Sequence, residues 1–338
     1  MDVPDYDLPS EAIAQEPSAQ RDAARLLVSM AEGDIDHRHV RDLPDLLEPG
    51  DVLVVNTTRV LPARLRLEKA TGGAAEVLLL EPVPGTPGCW EALVRPGRRL
   101  PAGTVLSAPD GGRALVEVGE ELGEGRRQVR LLAEPHDVFA AGVMPVPPYI
   151  EAVPADPERY QTVYAEQPGS VAAPTAGLHL THQVLDECRA RGVEVAAVDL
   201  AVGLGTFLPV TATRAEDHVM HAERYHVPEA TMAACEAARR VVAVGTTTVR
   251  ALESAAATGE RSGRSTLYIR GDYPWRVVDV LMTNFHQPRS TLLLLLESFV
   301  GPRWRDLYAE ALRSGYRFLS FGDAMLVGRA RGGERMPV

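Results

Sequence analysis

The sequence predicts an α/β protein with an all-β domain inserted into its first half, and three observations lead there. Between residues 51 and 132, short Val- and Leu-rich runs (DVLVVN, ARLRL, AEVLLLE, WEALVR, RALVEV, RQVRLL) are separated by turn clusters (TGG, PVPGTPG, PDGG). That is the pattern of a small barrel or sandwich. The stretch Met144 to Pro157, MPVPPYIEAVPADP, holds five prolines and reads as a stiff, extended connector. Beyond it, helical and strand-like segments alternate, which argues for α/β organisation. The α/β domain is accordingly assigned to 1–58 and 149–338, and the insertion to 59–148.

In chain order, PSEAIAQ and RDAARLLVSM belong with the α/β domain. Thr181 caps a helix that stops before Gly192, and VEVAAVDL follows as a strand. Residues 229–240 read as a helix, VVAVG as a strand and TTTVRALESAAA as a helix. VVDVLMTNF is a strand, STLLLLLESF a capped helix, WRDLYAEAL another helix and YRFLSF a final strand. There is no internal repeat of fixed period and no low-complexity tail.

Composition narrows the function classes. Hydrophobic residues make up 45% of the 338, enough for a sizeable core. The opening MDVPDYDLPSE is acidic and lacks the apolar stretch of a secretory leader, and the longest leucine run, Leu292 to Leu296, is too short to span a bilayer. A soluble, cytoplasmic protein without membrane partners is expected. The cysteines Cys89, Cys188 and Cys235 are odd in number and far apart, which argues against a disulfide framework or a zinc knot. Net charge is −11, a poor match to a protein that coats nucleic acid. Residues 59–130, however, carry eleven Lys/Arg against nine Asp/Glu, so a local basic face on an acidic whole is expected.

No P-loop, no G-x-S-x-G elbow and no H-E-x-x-H is present, and Gly203-Leu204-Gly205 lacks the third glycine of a dinucleotide fingerprint. His218 and His221, beside Asp217 and Glu223, have the spacing of half a metal site but read more simply as a polar cluster. The loops that look like a site share one character: small residues, a polar group, then a helix. VGTTTVR places Thr246, Thr247 and Arg250 at a helix start suited to an anion, although Thr246 alone reads more readily as a cap. AVGLGTFLPV allows close backbone approach to a ligand, or simply a tight turn. TNFHQP puts Asn284 and His286 at the end of a strand, where open α/β sheets bind ligands. The paired arginines of NTTRVLPARL suit carboxylate or phosphate, or solvent, and RYQTVYA offers Tyr160 and Gln161 to a planar base or to the core.

Taken together and in order, GSVAAPTAGLHLT, VGLGTFLPV, MHAERY, AVGTTTVRALES, TNFHQPRSTLLLL and FGDAMLV closely resemble the S-adenosylmethionine:tRNA ribosyltransferase-isomerases of queuosine biosynthesis. YDLPSEAIAQ, PGDVLVVNTTRVLPARL, KATGGAAEVLLLE and DPERYQTVYAEQPGS extend the resemblance over almost the whole chain. It implies an α/β domain with an inserted antiparallel β-barrel. It also implies transfer and isomerisation of the ribosyl unit of S-adenosylmethionine onto 7-aminomethyl-7-deazaguanine at the tRNA wobble position, giving epoxyqueuosine and releasing adenine and methionine. No metal or further cofactor is implied, and a monomer is expected. Carried onto this chain, proton transfer falls to His179, His286 or His221. Substrate contacts fall to Tyr160, Gln161, Pro174, Thr175, Ala176, Gly177, Gly203, Gly205, Thr206, Phe207, Glu223, Thr246, Thr247, Arg250 and Asn284. The tRNA face falls to Arg59, Arg64, Arg66, Arg95, Arg98 and Arg99.

The chain departs from the family pattern at Ala201, where histidine is usual, at Gln287, where leucine is, and at Leu180, where phenylalanine is. Two other readings stay open on sequence alone: a paralogue passing the ribosyl unit to a free base or small nucleoside, and a catalytically dead RNA-binding protein.

Overall fold

The structure, a computed structural model, describes residues 2–31, 33–109, 111–123, 125–151, 154–203, 212 and 214–330. The chain forms two compact units. One comprises Met1–Thr58, Pro147–Gln167 and Ala173–Val338; the other comprises Arg59–Val146 and Pro168–Ala172.

The first unit is built on a nine-stranded sheet. Its strands are β1 (Arg25–Ser29), β2 (Asp36–His39), β3 (Val52–Asn56), β4 (Glu194–Leu200), β5 (Glu223–His226), β6 (Val241–Val244), β7 (Ser262–Ser265), β8 (Val280–Asn284) and β9 (Ala324–Gly328), in the order β7-β5-β4-β3-β6-β8-β9-β1-β2. The central strands β4, β3, β6 and β8 run parallel. Strand β9 is antiparallel to β8 and parallel to β1. DVLVVN, read from sequence at the head of the β-rich segment, supplies β3 in the middle of this sheet. Strands β3, β6, β8 and β9 are buried throughout, as continuous apolar runs covered on both faces must be.

Four of the connecting helices are α1 (His182–Ala190), α2 (Glu229–Ala237), α3 (Thr246–Thr258) and α4 (Thr291–Val300); α5 (Trp304–Arg313) follows. Thr181 caps α1, its hydroxyl accepting from the Val184 amide at 3.2 Å, and Ser290 caps α4 through the Leu293 amide at 3.2 Å. One core cluster gathers Leu26 and Val28 of β1, Leu53 and Val55 of β3, Val242 and Val244 of β6 and Met282 of β8, with Val184, Leu185 and Cys188 of α1.

The segment YRFLSF is not a strand; Phe318 makes only an isolated bridge to Ile13, and the last strand is β9. Two features exclude it from the sheet. Leu319 has φ 68°, which breaks an extended run. Phe318 stacks on Phe285 with centroids 4.7 Å apart, and Tyr316 packs edge-on to the same ring. The aromatic side chains are used for packing between layers rather than along a ladder.

The second unit is an antiparallel barrel. Strands Arg64–Lys69, Ala74–Pro82, Cys89–Arg95, Arg126–Leu131, Ala114–Gly123 and Val105–Ser107 pair in that spatial order, and Val105–Ser107 returns to Glu68 and Lys69 to close it. A two-residue strand, Gly142–Val143, pairs with the start of Arg64–Lys69. Leu65, Leu67, Val77, Leu79, Ala92, Val94, Val116, Val118 and Val129 fill its interior by strand alternation.

Candidate active site

The parallel strands β4, β3, β6 and β8 end on one edge, and their ends carry the site. An open α/β sheet binds ligands there because the loops leaving adjacent strands part and expose helix starts. A cleft, partly open to solvent, is lined by Pro174, Thr175 and Ala176, by Val202 after β4, by Gly245, Thr246 and Thr247 after β6, and by Asn284, His286 and Gln287 after β8. Tyr149, Leu292 and Ser320 complete the wall.

Gly245 has φ 88°, a conformation that favours glycine, and its amide donates back to Met282 O at 2.8 Å. This turn opens α3 without a side-chain cap, so the cap position is Gly245 and not Thr246. The first amides of a helix have no partner within it. Those of Thr246 and Thr247 therefore open α3 at the cleft. Asn56, the last residue of β3, secures this corner. Its side-chain amide donates to Leu200 O at 3.0 Å and to Thr247 Oγ1 at 3.2 Å, while its oxygen accepts from the Leu200 and Thr58 amides, each at 3.1 Å. Thr247 Oγ1 thus acts as acceptor toward the protein and keeps its own proton for a ligand.

Asn284 ties the opposite wall together. Its Oδ1 accepts from Thr175 Oγ1 at 2.9 Å, and its Nδ2 lies 3.3 Å from Asp323 O and 3.2 Å from His179 Nε2. A carbonyl oxygen only accepts, so the amide orientation is fixed and His179 Nε2 must be the acceptor. His179 is then neutral, with its proton on Nδ1. Burial, reinforced by the charges of Arg317, Arg21 and Arg159, pushes its pKa down to about 4. His179 faces a second, smaller cavity beside the cleft.

His286 lines the cleft itself. Its Nε2 lies 3.1 Å from Thr283 Oγ1, its amide donates to the Tyr308 hydroxyl at 2.8 Å, and its carbonyl accepts from Tyr6 at 2.6 Å. Burial pushes its pKa down to about 3, so it meets a ligand as the free base. Tyr149 shares a 2.7 Å hydrogen bond with Ser320, and burial raises its pKa to about 12.

The small residues of GSVAAPTAGLHLT have separate reasons. Ala176 is core and cleft wall at once. A Cβ on Gly177 would stand 2.0 Å from the Tyr164 hydroxyl oxygen, so glycine lets the tyrosine pack against this turn.

Several sequence-derived candidates lie elsewhere. Tyr160 and Gln161 are buried away from the cleft, Tyr160 edge-on to Phe321 at 5.9 Å; they serve the core rather than a base. The carboxylate that Arg250 holds is the protein's own. Arg250 and Glu223 form a buried ion pair, and Glu223 Oε1 accepts from the Gly203 amide at 2.8 Å. The pair thereby tethers the start of the glycine loop, whose Gly205, Thr206 and Phe207 lie outside the described residues. His221 is exposed and does not line the cleft, and His218 packs edge-on to Tyr268 at 5.7 Å. Among the described residues no three His, Cys, Asp or Glu side chains gather as metal ligands. Of the departures from the family pattern, Leu180 is core, Gln287 lines the cleft, and Ala201, at the end of β4, donates its amide to Arg224 O at 3.0 Å.

Sequence reasoning missed Asn56, Tyr149, Thr283 and Ser320. Asn56 had a signal, a lone amide closing an apolar strand; the others had none before the chain was folded.

In the barrel, Arg66, Arg95 and Arg99 are exposed, while Arg59 and Arg64 are half-buried; Arg64 donates to Val146 O at 3.3 Å. Arg66 and Arg95 flank Glu76 across three adjacent strands. The loop Pro96–Leu100 is held from beneath by the buried Arg127, which donates to Leu100 O at 2.6 Å, Gly97 O at 3.3 Å and Gly119 O at 2.8 Å.

A largely parallel sheet with a cleft over its strand ends, and an antiparallel barrel spliced into the same chain, define an α/β enzyme with an inserted barrel. Among the described residues no acidic side chain lines that cleft, and the start of α3 forms part of its wall. The chain belongs to the queuosine biosynthesis protein family, whose model matches residues 2–327. It is 54% identical over 325 residues to the S-adenosylmethionine:tRNA ribosyltransferase-isomerase of Rubrobacter xylanophilus, covering 96% of each chain. It is 50% identical over 347 residues to that of Thermus thermophilus, covering 96% of this chain and 98% of the other. The crystal structure of the S-adenosylmethionine tRNA ribosyltransferase from Thermotoga maritima matches 96% of this chain and 99% of its own, with a TM-score of 0.55 and 35% identity. Among the described residues no helix is long and apolar enough to cross a membrane.

Proposed function

We propose that the chain transfers and isomerises the ribosyl unit of S-adenosylmethionine onto 7-aminomethyl-7-deazaguanine in the wobble position of tRNA, in the cleft over β4, β3, β6 and β8. The observation that carries this reading is the α3 N-terminus beside the apolar side chains of Pro174, Ala176, Val202 and Leu292 in one cleft. The methionine carboxylate suits the Thr246 and Thr247 amides and the Thr247 hydroxyl, where the helix dipole favours negative charge. The adenosyl part suits Pro174, Ala176, Val202 and Leu292. The sulfonium makes the neighbouring ribose carbon acidic, and we assign the removal of that proton to His286, which is neutral and lines the cleft. The reading requires no metal, because the sulfonium itself supplies the activation. The exposed barrel arginines Arg66, Arg95 and Arg99 are assigned to RNA phosphates.

Adenine release tests it. Purified protein is incubated with S-adenosylmethionine and tRNA bearing 7-aminomethyl-7-deazaguanine, unmodified tRNA, or the free base. Release with the modified tRNA alone is expected. Release with the free base alone assigns the chain a small-molecule acceptor, and tight tRNA binding without release assigns it a binding role.

A further inference from the structure

We propose that the small cavity beside His179 binds a phosphate group of the RNA substrate, next to the cleft that takes S-adenosylmethionine; the source of the phosphate rests on the function proposed above. The cavity is a narrow recess, partly open to solvent, lined by Ser18, Arg21, Arg159, His179, Ser320 and Phe321. Arg21 donates to Leu178 O at 2.9 Å and to Glu158 O at 2.7 Å, and Arg159 donates to the carbonyls of Ser18 and Ala19. The carbonyls fix both guanidiniums in place without neutralising them. Among the described residues neither forms an ion pair with a carboxylate; Asp156 and Glu158 are exposed and lie outside the lining. Burial first, and repulsion from Arg159 second, lower the pKa of Arg21 against the weaker pull of Asp156 and Glu158. An anion between the two relieves that repulsion, and a planar guanidinium matches phosphate oxygens two at a time.

The imidazole gives a second, independent reason. His179 is only 5% exposed, and its Nε2 is committed to Asn284. The ring nitrogen left over is Nδ1, and it carries the proton. Three side chains that carry N–H groups, Arg21, Arg159 and His179, therefore line the cavity, with Arg317 adding charge nearby. A cavity of donors is complementary to an oxyanion. Position selects phosphate over the methionine carboxylate. Ser320 lines both spaces, and Asn284, which lines the cleft, also holds His179. A nucleotide with its base in the cleft has its own backbone beside Arg21 and Arg159, while the carboxylate already has the start of α3.

Two measurements test the assignment. Arg159→Gln should weaken tRNA binding about tenfold and reduce the slope of log affinity against log salt by about one, leaving S-adenosylmethionine affinity unchanged. On the wild-type protein, titration with inorganic phosphate should shift the Nδ1 resonance of His179, read by ¹⁵N NMR, and the shift should vanish in Arg159→Gln. Loss of S-adenosylmethionine affinity with tRNA binding intact would instead place the methionine carboxylate in the cavity and overturn the proposal. So would a His179 resonance indifferent to phosphate, a result that stands even if the variant fails to fold. Adenine release by the wild type, run in parallel, separates the two readings. Its absence defeats the proposed reaction, while the phosphate titration still decides the cavity.

Discussion

The side-chain amide of Asn284 donates to Nε2 of His179 across 3.2 Å and so fixes the ring proton on Nδ1. Asn284→Asp reverses this relationship. A carboxylate accepts where the amide donated, so the ring moves its proton to Nε2 and gains a negative neighbour. The His179 pKa should rise from its value of about 4, and adenine release should fall. An NMR pH titration of the imidazole reads the first effect; an unmoved pKa would show that Asn284 does not set the tautomer.

Acid should destabilise the protein through the same ring and through His286. Both are held neutral when folded, with pKa values near 4 and 3 against an ordinary 6.5. The unfolded chain therefore binds more protons below pH 6.5, and stability falls with pH from there down through the folded values. For His179 the loss is on the order of 3 kcal/mol once pH reaches 4. Urea unfolding at pH 7 and pH 4.5 measures it, and His179→Gln should flatten part of the dependence.

Gly177 and Tyr164 should behave as a coupled pair. Gly177→Ala places a methyl 2.0 Å from the tyrosine oxygen, and about 1–3 kcal/mol of stability should be lost. The Tyr164 hydroxyl is buried without a hydrogen-bond partner, so Tyr164→Phe alone should cost little. The double variant should recover much of the loss. Strictly additive effects in chemical denaturation would mean that the glycine is needed for another reason.

The Glu223–Arg250 pair offers a similar cycle. Arg250→Met leaves a carboxylate buried and uncompensated, and about 3–5 kcal/mol should go. Glu223→Met together with Arg250→Met should restore most of the stability. The KM for S-adenosylmethionine should stay raised even then, because the Gly203 amide has lost its acceptor. A double variant with native KM would remove the tether from the account of the site.

At the helix start, Thr247→Val should raise the KM for S-adenosylmethionine by about tenfold, the value of a hydrogen bond to a charged group. Thr247→Ser should hold it near wild type. If valine and serine behave alike, the hydroxyl does not reach the substrate.

Much of the fold was legible from the sequence because local signals agreed with tertiary use. Thr181 and Ser290 read as caps and are caps, and the runs VVAVG and VVDVLMTNF read as strands and contain the strands Val241–Val244 and Val280–Asn284. YRFLSF failed because aromatic content marks burial without saying whether a ladder or a layer contact provides it. The site was legible in its loops but not in its partnerships. Arg250 looks like an anion grip until the fold brings in Glu223 from another element. Tyr160 looks like a base platform until the fold closes over it. Periodicity places a side chain on an element; only packing decides what satisfies it.

The return of Val105–Ser107 to Glu68 and Lys69 has a further consequence. Apart from the short strand Gly142–Val143, the closed barrel keeps its main-chain ladder to itself. An extended peptide, or a second copy of the chain, has little edge to add a strand to. Whatever this unit meets, it meets through side chains and turns. Evolution can redraw the charge on those turns, Arg99 among them, without shifting the register of the strands beneath.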